Sequence, residues 1–196
     1  MNDKLKNTWP RLWLMTDERF GDGLLEAIKK LPQGSGIVFR HYRLPFKIRK
    51  NLFQKIQRIA KKQKLVLFLA GSARLAAAWK ADGVHGRFSS QRTARPLLRS
   101  QAVHNRRDSI MCRKVDFVFL SPLFSTRSHP GKPFLGRVKF LQLKRSIRQK
   151  VFALGGINAK TIRALPACDG FSGIDIWQDD QFRHHRLWSF WANQQR

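Results

Sequence analysis

The sequence is short of acids and of sulfur. Its 196 residues hold 12 Asp+Glu against 39 Lys+Arg, a formal net charge of +27. Glutamate occurs only at Glu18 and Glu26. No carboxylate lies between residues 27 and 81, where 14 bases stand, and none lies between 117 and 168. That scarcity excludes most multi-carboxylate metal cages, which gather several oxygen donors at one point. The two cysteines, Cys112 and Cys168, have no CxxC partner. They argue against zinc and disulfide frameworks and for reduced thiols in a cytoplasmic protein. No apolar run approaches the roughly 20 residues of a membrane helix. The segment Met1 to Lys6 is too polar for a secretory signal, so no membrane partner is expected.

Hydrophobic residues make up 42% of the chain, enough to bury a core, so this is not a disordered basic tail. One domain over residues 1–196 is expected at this length. The basic excess leaves two broad partner classes, nucleic acid or small anionic ligands, with a merely solvated basic surface as the plain alternative.

The apolar segments alternate between strand and helix patterns. Strands are predicted at Arg11–Met15, Gly36–Phe39, Leu65–Leu69, Gly83–His85, Gln101–His104, Asp116–Ser121, Val151–Leu154 and Gly170–Ile176. Helices are predicted at Leu24–Leu31, Lys47–Lys64, from the N-cap Ser72 to Trp79, and at Arg106–Lys114 and Leu135–Arg148. Two more follow: Ala159–Leu165, capped by Asn158, and Phe182–Ala192. In the helix at 47–64 the apolar stripe is Ile48, Leu52, Ile56 and Ile59; in the one at 135–148 it is Leu135, Val138, Leu141 and Ile147. Eight strand-then-helix units predict an α/β fold, a (β/α)8 TIM barrel at its lower size limit. An open doubly wound sheet is the competitor, but no GxGxxG follows the first strand.

A barrel carries its site at the C-terminal ends of its strands. The residues there are Asp17, Arg40-His41-Tyr42, Gly71-Ser72, His85, His104-Asn105, Ser121 with the loop Thr126-Arg127-Ser128-His129, Gly155-Gly156, and Ser172 to Asp175. The set is cationic and hydroxylic. Gly155 and Gly156 end an apolar strand where a helix is expected to open, so bare amides and a helix dipole would make an anion site there, with Gly173 and Ile174 after the last strand as its second half. A tight turn is the alternative. Thr126, Arg127, Ser128 and His129, followed by Lys132, could fold over a phosphate; a solvated polar loop is the alternative. Arg40 ends a strand and is expected to project into the mouth. His41, His85 and His104 are structural, or form an acid–base or metal set, although no HxxxH or carboxylate spacing supports metal.

Together these residues resemble the thiamine phosphate synthase/TenI family. The closest stretch is Asp116-Phe-Val-Phe-Leu-Ser-Pro-Leu-Phe-Ser-Thr-Arg-Ser-His-Pro-Gly131, similar to that family's sixth strand and Thr-rich loop. Val151-Phe-Ala-Leu-Gly-Gly-Ile157 is similar to its seventh strand, Ala81-Asp-Gly-Val-His85 to its ADGVH element, and Val38-Phe-Arg40 to its arginine strand. The resemblance runs from about Leu12 to Ile176. It implies a (β/α)8 barrel of thiamine biosynthesis that joins a hydroxymethylpyrimidine pyrophosphate to a thiazole phosphate and releases pyrophosphate. The pyrimidine would leave as a stabilised cation, so holding the departing pyrophosphate matters more than a base.

By that resemblance Arg40, Thr126, Arg127, Ser128 and His129 would bind pyrimidine and pyrophosphate, and Gly155, Gly156, Gly173 and Ile174 the thiazole phosphate. The catalytic candidates are Arg40, His104 and His129. The family also implies Mg2+, yet its carboxylate ligands are missing: Ala70-Gly71 and Gly86-Arg-Phe-Ser-Ser-Gln stand where they would be, so no metal ligand is assigned. The family's lysine in the arginine strand falls on Tyr42, its serine after the fifth strand on Ala102, and its Thr-loop lysine on His129. Arg87, Arg92 or Lys132 could neutralise pyrophosphate instead. Two alternative functions remain: a TenI-like thiazole tautomerase or phosphate-ligand barrel, whose catalytic histidine would fall on Pro122, and a basic nucleic-acid binder. The second lacks an RNP, HTH or zinc signature, and its bases ride on outer helices all round, which argues against nucleic acid. Small phosphorylated substrates are the expected partners; a homo-oligomer is compatible with the sequence.

Overall fold

The structure is a computed structural model that describes residues 9–86, 93–128 and 130–178. The last expected helix, at 182–192, lies outside the described residues, as do Arg87, Arg92 and His129. Eight parallel strands run in chain order and close on themselves: β1 (Leu12–Met15), β2 (Gly36–Phe39), β3 (Val66–Ala70), β4 (Gly83–His85), β5 (Leu98–Val103), β6 (Phe117–Leu120), β7 (Lys150–Leu154) and β8 (Gly170–Gly173), with β1 paired to β8. Helices α1 (Leu24–Lys29), α2 (Phe46–Lys62), α3 (Ala73–Ala78), α4 (Arg106–Met111) and α5 (Gly136–Arg145) lie between them. No helix among the described residues is long and apolar enough to cross a membrane.

The barrel interior is filled by rings. Trp13, Phe68, Phe117, Phe119 and Phe152 are fully buried with Met15, Val38, Val66 and Ala70 in one cluster. Trp13 sits at its centre, with ring centroids 4.9 Å from Phe117, 5.2 Å from Phe68, 5.6 Å from Phe119 and 6.1 Å from Phe152. So much ring volume inside eight short strands leaves no room opposite it. Register supplies the room: Trp13 pairs across to Gly36 and Phe68 to Gly83. A Cβ on Gly36 would lie 2.2 Å from the Trp13 ring, and one on Gly83 would lie 2.3 Å from the Phe68 ring. Large and small residues thus alternate around the bore, as close packing requires.

A second apolar layer joins strands to helices. Here the helix faces differ from the predicted stripes. In α2 the buried positions are Phe53, Ile56 and Ala60, and Ile48 is 54% exposed; in α5 they are Phe140 and Leu143, and Val138 is 73% exposed. The phenylalanines decide the rotation. Phe53 packs edge-on to Phe39 at 5.5 Å and against Trp79 at 5.2 Å, and burying a Phe is worth about 1.5–3 kcal/mol, more than a tidier aliphatic stripe would add. Ser72 caps α3 by accepting from Leu75 N at 3.2 Å, as expected, and Asn105 caps α4 by accepting from Asp108 N at 2.9 Å.

Two further expectations change. The helix foreseen at 159–165 is only a 3-10 turn, Ile162–Ala164, because the Asn158 carboxamide oxygen takes the N–H groups of Lys160 (2.9 Å) and Thr161 (3.1 Å) and the Thr161 hydroxyl donates back to the Gly156 carbonyl at 2.8 Å. Strand β8 stops at Gly173, where Ile174 turns into a 3-10 turn, Asp175–Trp177, in place of the expected extension to Ile176. Conversely β5 starts three residues earlier than Gln101, pairing Ser100 with Phe117 and Gly83 with Leu98.

The ring-and-glycine fit makes a prediction. Gly36→Ala and Gly83→Ala each lower stability by about 1–3 kcal/mol, a melting-point drop of about 4–10 °C for a chain of this size. Combining Gly36→Ala with Trp13→Phe recovers part of the loss. A thermal melt in which the alanine variants match the parent refutes the packing account.

Candidate functional site

The C-terminal ends of the strands surround a cavity of about 960 Å³, floored by Met15 at the top of β1 and open to solvent. The barrel brings many of the residues expected there together around the cavity, although Asp17, Gly71, Ser72, Asn105 and Ser172 are not among those lining it. Arg40, His85, His104, Thr126, Arg127, Ser128, Gly155, Gly156, Gly173 and Ile174 all line it. His41 does not: its ring is buried, lies stacked on Phe39 at 5.1 Å and shares a 2.9 Å hydrogen bond with the Thr16 hydroxyl. Sequence reasoning missed Lys139, one turn into α5, which also lines the cavity.

Arg40 is not a free cation. Its Nη2 meets the Asp17 carboxylate at 2.5 Å, its Nε donates to the Thr16 carbonyl at 2.8 Å, and its own N–H donates to the Thr16 hydroxyl at 2.9 Å. Burial pulls its pKa below the ordinary value and Asp17 offsets part of that pull; a guanidinium stays cationic regardless. Burial opposes the ionisation of Asp17, but hydrogen bonds from Arg19 and the charges of Arg19 and Arg40 outweigh it, so its carboxyl titrates below the usual value. Arg19 then spans three elements: Nε to Asp17 at 2.8 Å, Nη1 to Asp175 at 3.5 Å and Nη2 to the Ser128 hydroxyl at 2.8 Å. It fastens the loop after β6 to the ends of β1 and β8.

That loop is pinned at both ends. Leu123 N–H donates to the Leu154 carbonyl (2.8 Å) and Phe124 N–H to the Gly155 carbonyl (3.1 Å), tying its start to the turn after β7. Leu135 N–H donates to the Pro122 carbonyl (2.9 Å) and Gly136 N–H to the Leu123 carbonyl (3.0 Å), bringing its end back beside its start. The described residues of this loop, 125–128 and 130–134, therefore arch beside the Gly155-Gly156 turn. The two glycines have φ of +97° and +67°, and a Cβ on Gly156 would stand 2.2 Å from the Ser125 carbonyl oxygen. The glycine doublet is thus demanded by a left-handed turn packed under this loop. The helix dipole foreseen behind it is absent, since a three-residue 3-10 turn follows.

The two remaining histidines hold partners on the cavity wall. His104 Nδ1 faces the Ser121 carbonyl at 3.0 Å and the Ser121 hydroxyl at 3.1 Å. A carbonyl only accepts, so Nδ1 carries a proton. His85 Nδ1 meets the Ser100 hydroxyl at 3.0 Å. Burial, with the charges of Arg40 and His104, pushes its pKa down to about 4, so the ring is neutral at pH 7.

The Mg2+ that the resemblance implies does not fit the residues present. Strand β3 ends in Ala70-Gly71 and β4 is followed by Gly86, and the sequence from 83 to 107 holds no carboxylate. The Ala70 carbonyl is taken by Arg49 Nη2 at 2.8 Å. The mouth acids Asp17, Glu18 and Asp175 each face an arginine. Among the described residues no three His, Cys, Asp or Glu side chains gather into a metal site.

The comparisons with known proteins agree with this geometry. The family model for thiamine monophosphate synthase (TMP-TENI) matches residues 12–175. The chain is similar to "Putative thiamine-phosphate synthase 2" of Aquifex aeolicus (strain VF5), 29% identical over 181 residues that cover 86% of this chain and 97% of the relative. It is also 29% identical over 165 residues to a thiamine-phosphate synthase of Prochlorococcus marinus, covering 79% of this chain and 46% of that protein. Among solved structures the barrel is similar to a thiamine phosphate pyrophosphorylase from Pyrococcus furiosus, with a TM-score of 0.72, 16% identity and coverage of 93% of this chain and 95% of that one. A second thiamine phosphate pyrophosphorylase, from Bacteroides thetaiotaomicron, gives a TM-score of 0.56 at 18% identity, covering 94% and 95%. At such identities the structural likeness speaks to the fold. The family match, running from the first residue of β1 to just past β8, decides the lineage: the chain belongs to the thiamine monophosphate synthase family.

Proposed function

We propose that this barrel is a thiamine phosphate synthase-like transferase, joining a hydroxymethylpyrimidine pyrophosphate to a thiazole phosphate with release of pyrophosphate. The observation that carries this reading is one cavity that gathers Arg40, the Thr126–Ser128 loop and the Gly155-Gly156 turn at the strand ends of a chain matched to the family over residues 12–175. In the reaction the C–O bond to the pyrophosphate breaks with its electron pair going to the leaving oxygen. The pyrimidine methylene cation so formed is captured by the thiazole nitrogen. Arg40, held by Asp17 and Thr16, meets the departing anion with a fixed guanidinium rather than a mobile one, so little reorganisation is required as charge develops. Thr126 and Ser128 supply hydroxyl donors beside it. The turn at Gly155-Gly156 and the end of β8 at Gly173-Ile174 hold the thiazole phosphate, and the pinned loop limits water around the cation.

The histidines serve this reading as hydrogen-bonding walls. His85 stays uncharged at neutral pH, and His104 donates from Nδ1 to the Ser121 carbonyl. A tautomerase reading finds no imidazole at Pro122, two residues past the end of β6 on the cavity wall. A cytoplasmic setting suits two unpaired thiols, Cys112 and Cys168.

The direct test is product formation by purified protein supplied with both substrates, with magnesium and with a chelator. Absence of product under both conditions, from folded protein, rejects the synthase reading. Arg40→Gln lowers kcat/KM by about 100-fold, the usual scale for losing one charge-stabilising donor; a variant within twofold of the parent removes Arg40 from the mechanism.

The low pKa of His85 also has a signed consequence. Its folded value, about 4, lies below the 6.5 of the free side chain, so the unfolded chain binds the extra proton first as pH falls. The stabilisation is complete above pH 6.5 and is lost progressively between 6.5 and 4. His85→Gln flattens that part of the stability–pH curve, read by denaturant melts across the range. An unchanged slope contradicts the assignment.

A further inference from the structure

Resting on the synthase reading, we propose that this barrel holds the pyrophosphate end of its substrate with side-chain cations, Arg127, Lys132 and Lys139, in the role otherwise given to a carboxylate-held divalent metal. All three line the cavity with Arg40. They differ from Arg40 in one respect. Arg40 is neutralised by Asp17, whereas Arg127, Lys132 and Lys139 have no hydrogen-bond or ion-pair partner among the described residues. Their charge is available to a ligand.

The loop anchoring explains how cations on the loop and on the helix after it line one cavity. The backbone bonds from Leu135 to Pro122 and from Gly136 to Leu123 bring the start of α5 back to the end of β6. Arg127 and Lys132 ride on the arch between those bonds, and Lys139 stands one turn into α5 beyond them. The arch itself is tied down by Arg19 to Ser128 and by Phe124 to Gly155. Flexible lysines pay an entropy penalty for gripping an anion; a pinned loop lowers it.

The carboxylate side of the ledger is closed. Asp175 lines the cavity but faces Arg19. At the end of β3 the space a metal would need lies beside the Arg49 guanidinium, whose Nη2 donates to the carbonyls of both Ala70 and Arg40 at 2.8 Å. A divalent cation placed there would meet a positive charge and no carboxylate. A diphosphate placed at the same mouth meets Arg40, Arg127, Lys132 and Lys139, and the one carboxylate on the lining, Asp175, is turned to Arg19.

Calorimetric titration with inorganic pyrophosphate, in chelator and again with excess magnesium, tests the proposal on the full chain. Expected are dissociation constants that agree within about threefold in the two conditions, with a weakening of about tenfold or more for Arg127→Ala and for the double variant Lys132→Ala/Lys139→Ala. Lys55→Ala/Lys61→Ala, on the exposed outer face of α2, serves as the charge control and leaves binding unchanged. Three results overturn the proposal while sparing the synthase reading: binding that needs magnesium, mouth variants that bind like the parent, or a control that weakens binding as much as they do. No pyrophosphate binding in either condition overturns both.

Discussion

Everything in this molecule is arranged around the indole of Trp13. It occupies the axis of a narrow barrel, touches four phenylalanines, and forces glycine at Gly36 and, through Phe68, at Gly83. Its backbone and side chain also close the cylinder. Trp13 Nε1 donates to the Pro10 carbonyl at 2.8 Å, while the Trp13 carbonyl accepts from the Ser172 hydroxyl at 3.1 Å and from Trp177 Nε1 at 3.0 Å. The seam between β1 and β8, where a barrel must bring its two ends together, is thus stitched by side chains as well as by the ladder. The ring plug also sets the depth of the cavity. Phe119, at the top of the plug, has its edge against His85 at 5.5 Å, and the open space begins above that layer.

The few acids are placed with a consistent logic. Three of them sit at the foot of the barrel, each just before an even-numbered strand. Asp82 accepts from Leu67 N at 2.9 Å, Asp116 from Arg99 N at 2.6 Å and Asp169 from Val151 N at 2.9 Å, and each returns its own N–H to the carbonyl of the same residue. These rings satisfy the amide of the second residue of β3, β5 and β7, which a short parallel strand would otherwise leave bare. The acids at the opposite end, Asp17, Glu18 and Asp175, are matched to arginines. Carboxylates therefore stabilise the frame and orient guanidinium groups, and the mouth is left with a surplus of positive charge. Among the described residues the basic side chains fall into two groups: exposed ones on the outer helices, and a small set facing the cavity.

The barrel was legible because a fully buried parallel strand reads as an unbroken apolar run, and Leu12–Met15, Val66–Ala70 and Phe117–Leu120 are such runs. Strand β5 was read too short because Leu98 and Arg99 are only half-buried and break the apolar pattern. Helix phases were misjudged in α2 and α5 because spacing alone gives Ile48 and Val138 the weight of Phe53 and Phe140, while burial follows ring area. The turn after β7 kept its place but not its physics: side-chain bonds from Asn158 and Thr161 compete with helix amides, so the glycines answer to packing against Ser125. Arg40, Asp17 and the Thr126–Ser128 loop were found from the sequence; the pairing of Arg40 with Asp17 and the part played by Arg19 were not, since a hydrogen bond across 109 residues or an ion pair between strand ends has no local signature.

Arg49 shows how a residue outside the cavity can govern what the cavity accepts. Its guanidinium lies within 5.5–5.7 Å of the ring centroids of Phe39, Tyr42 and Trp79, and donates to carbonyls at the ends of β2 and β3. Burial draws its pKa below the ordinary value, yet a guanidinium remains charged, so a permanent positive charge is built in where strand-end carbonyls would otherwise offer lone pairs. Two unit charges about 4 Å apart at a protein surface interact by about 4 kcal/mol, and a divalent ion doubles the repulsion. An anion at the same mouth gains from that field in proportion to its charge. The exchange of carboxylates for a guanidinium at the end of β3 therefore does more than remove ligands for a metal: it reverses the sign of the potential that a metal or a pyrophosphate would meet on arrival.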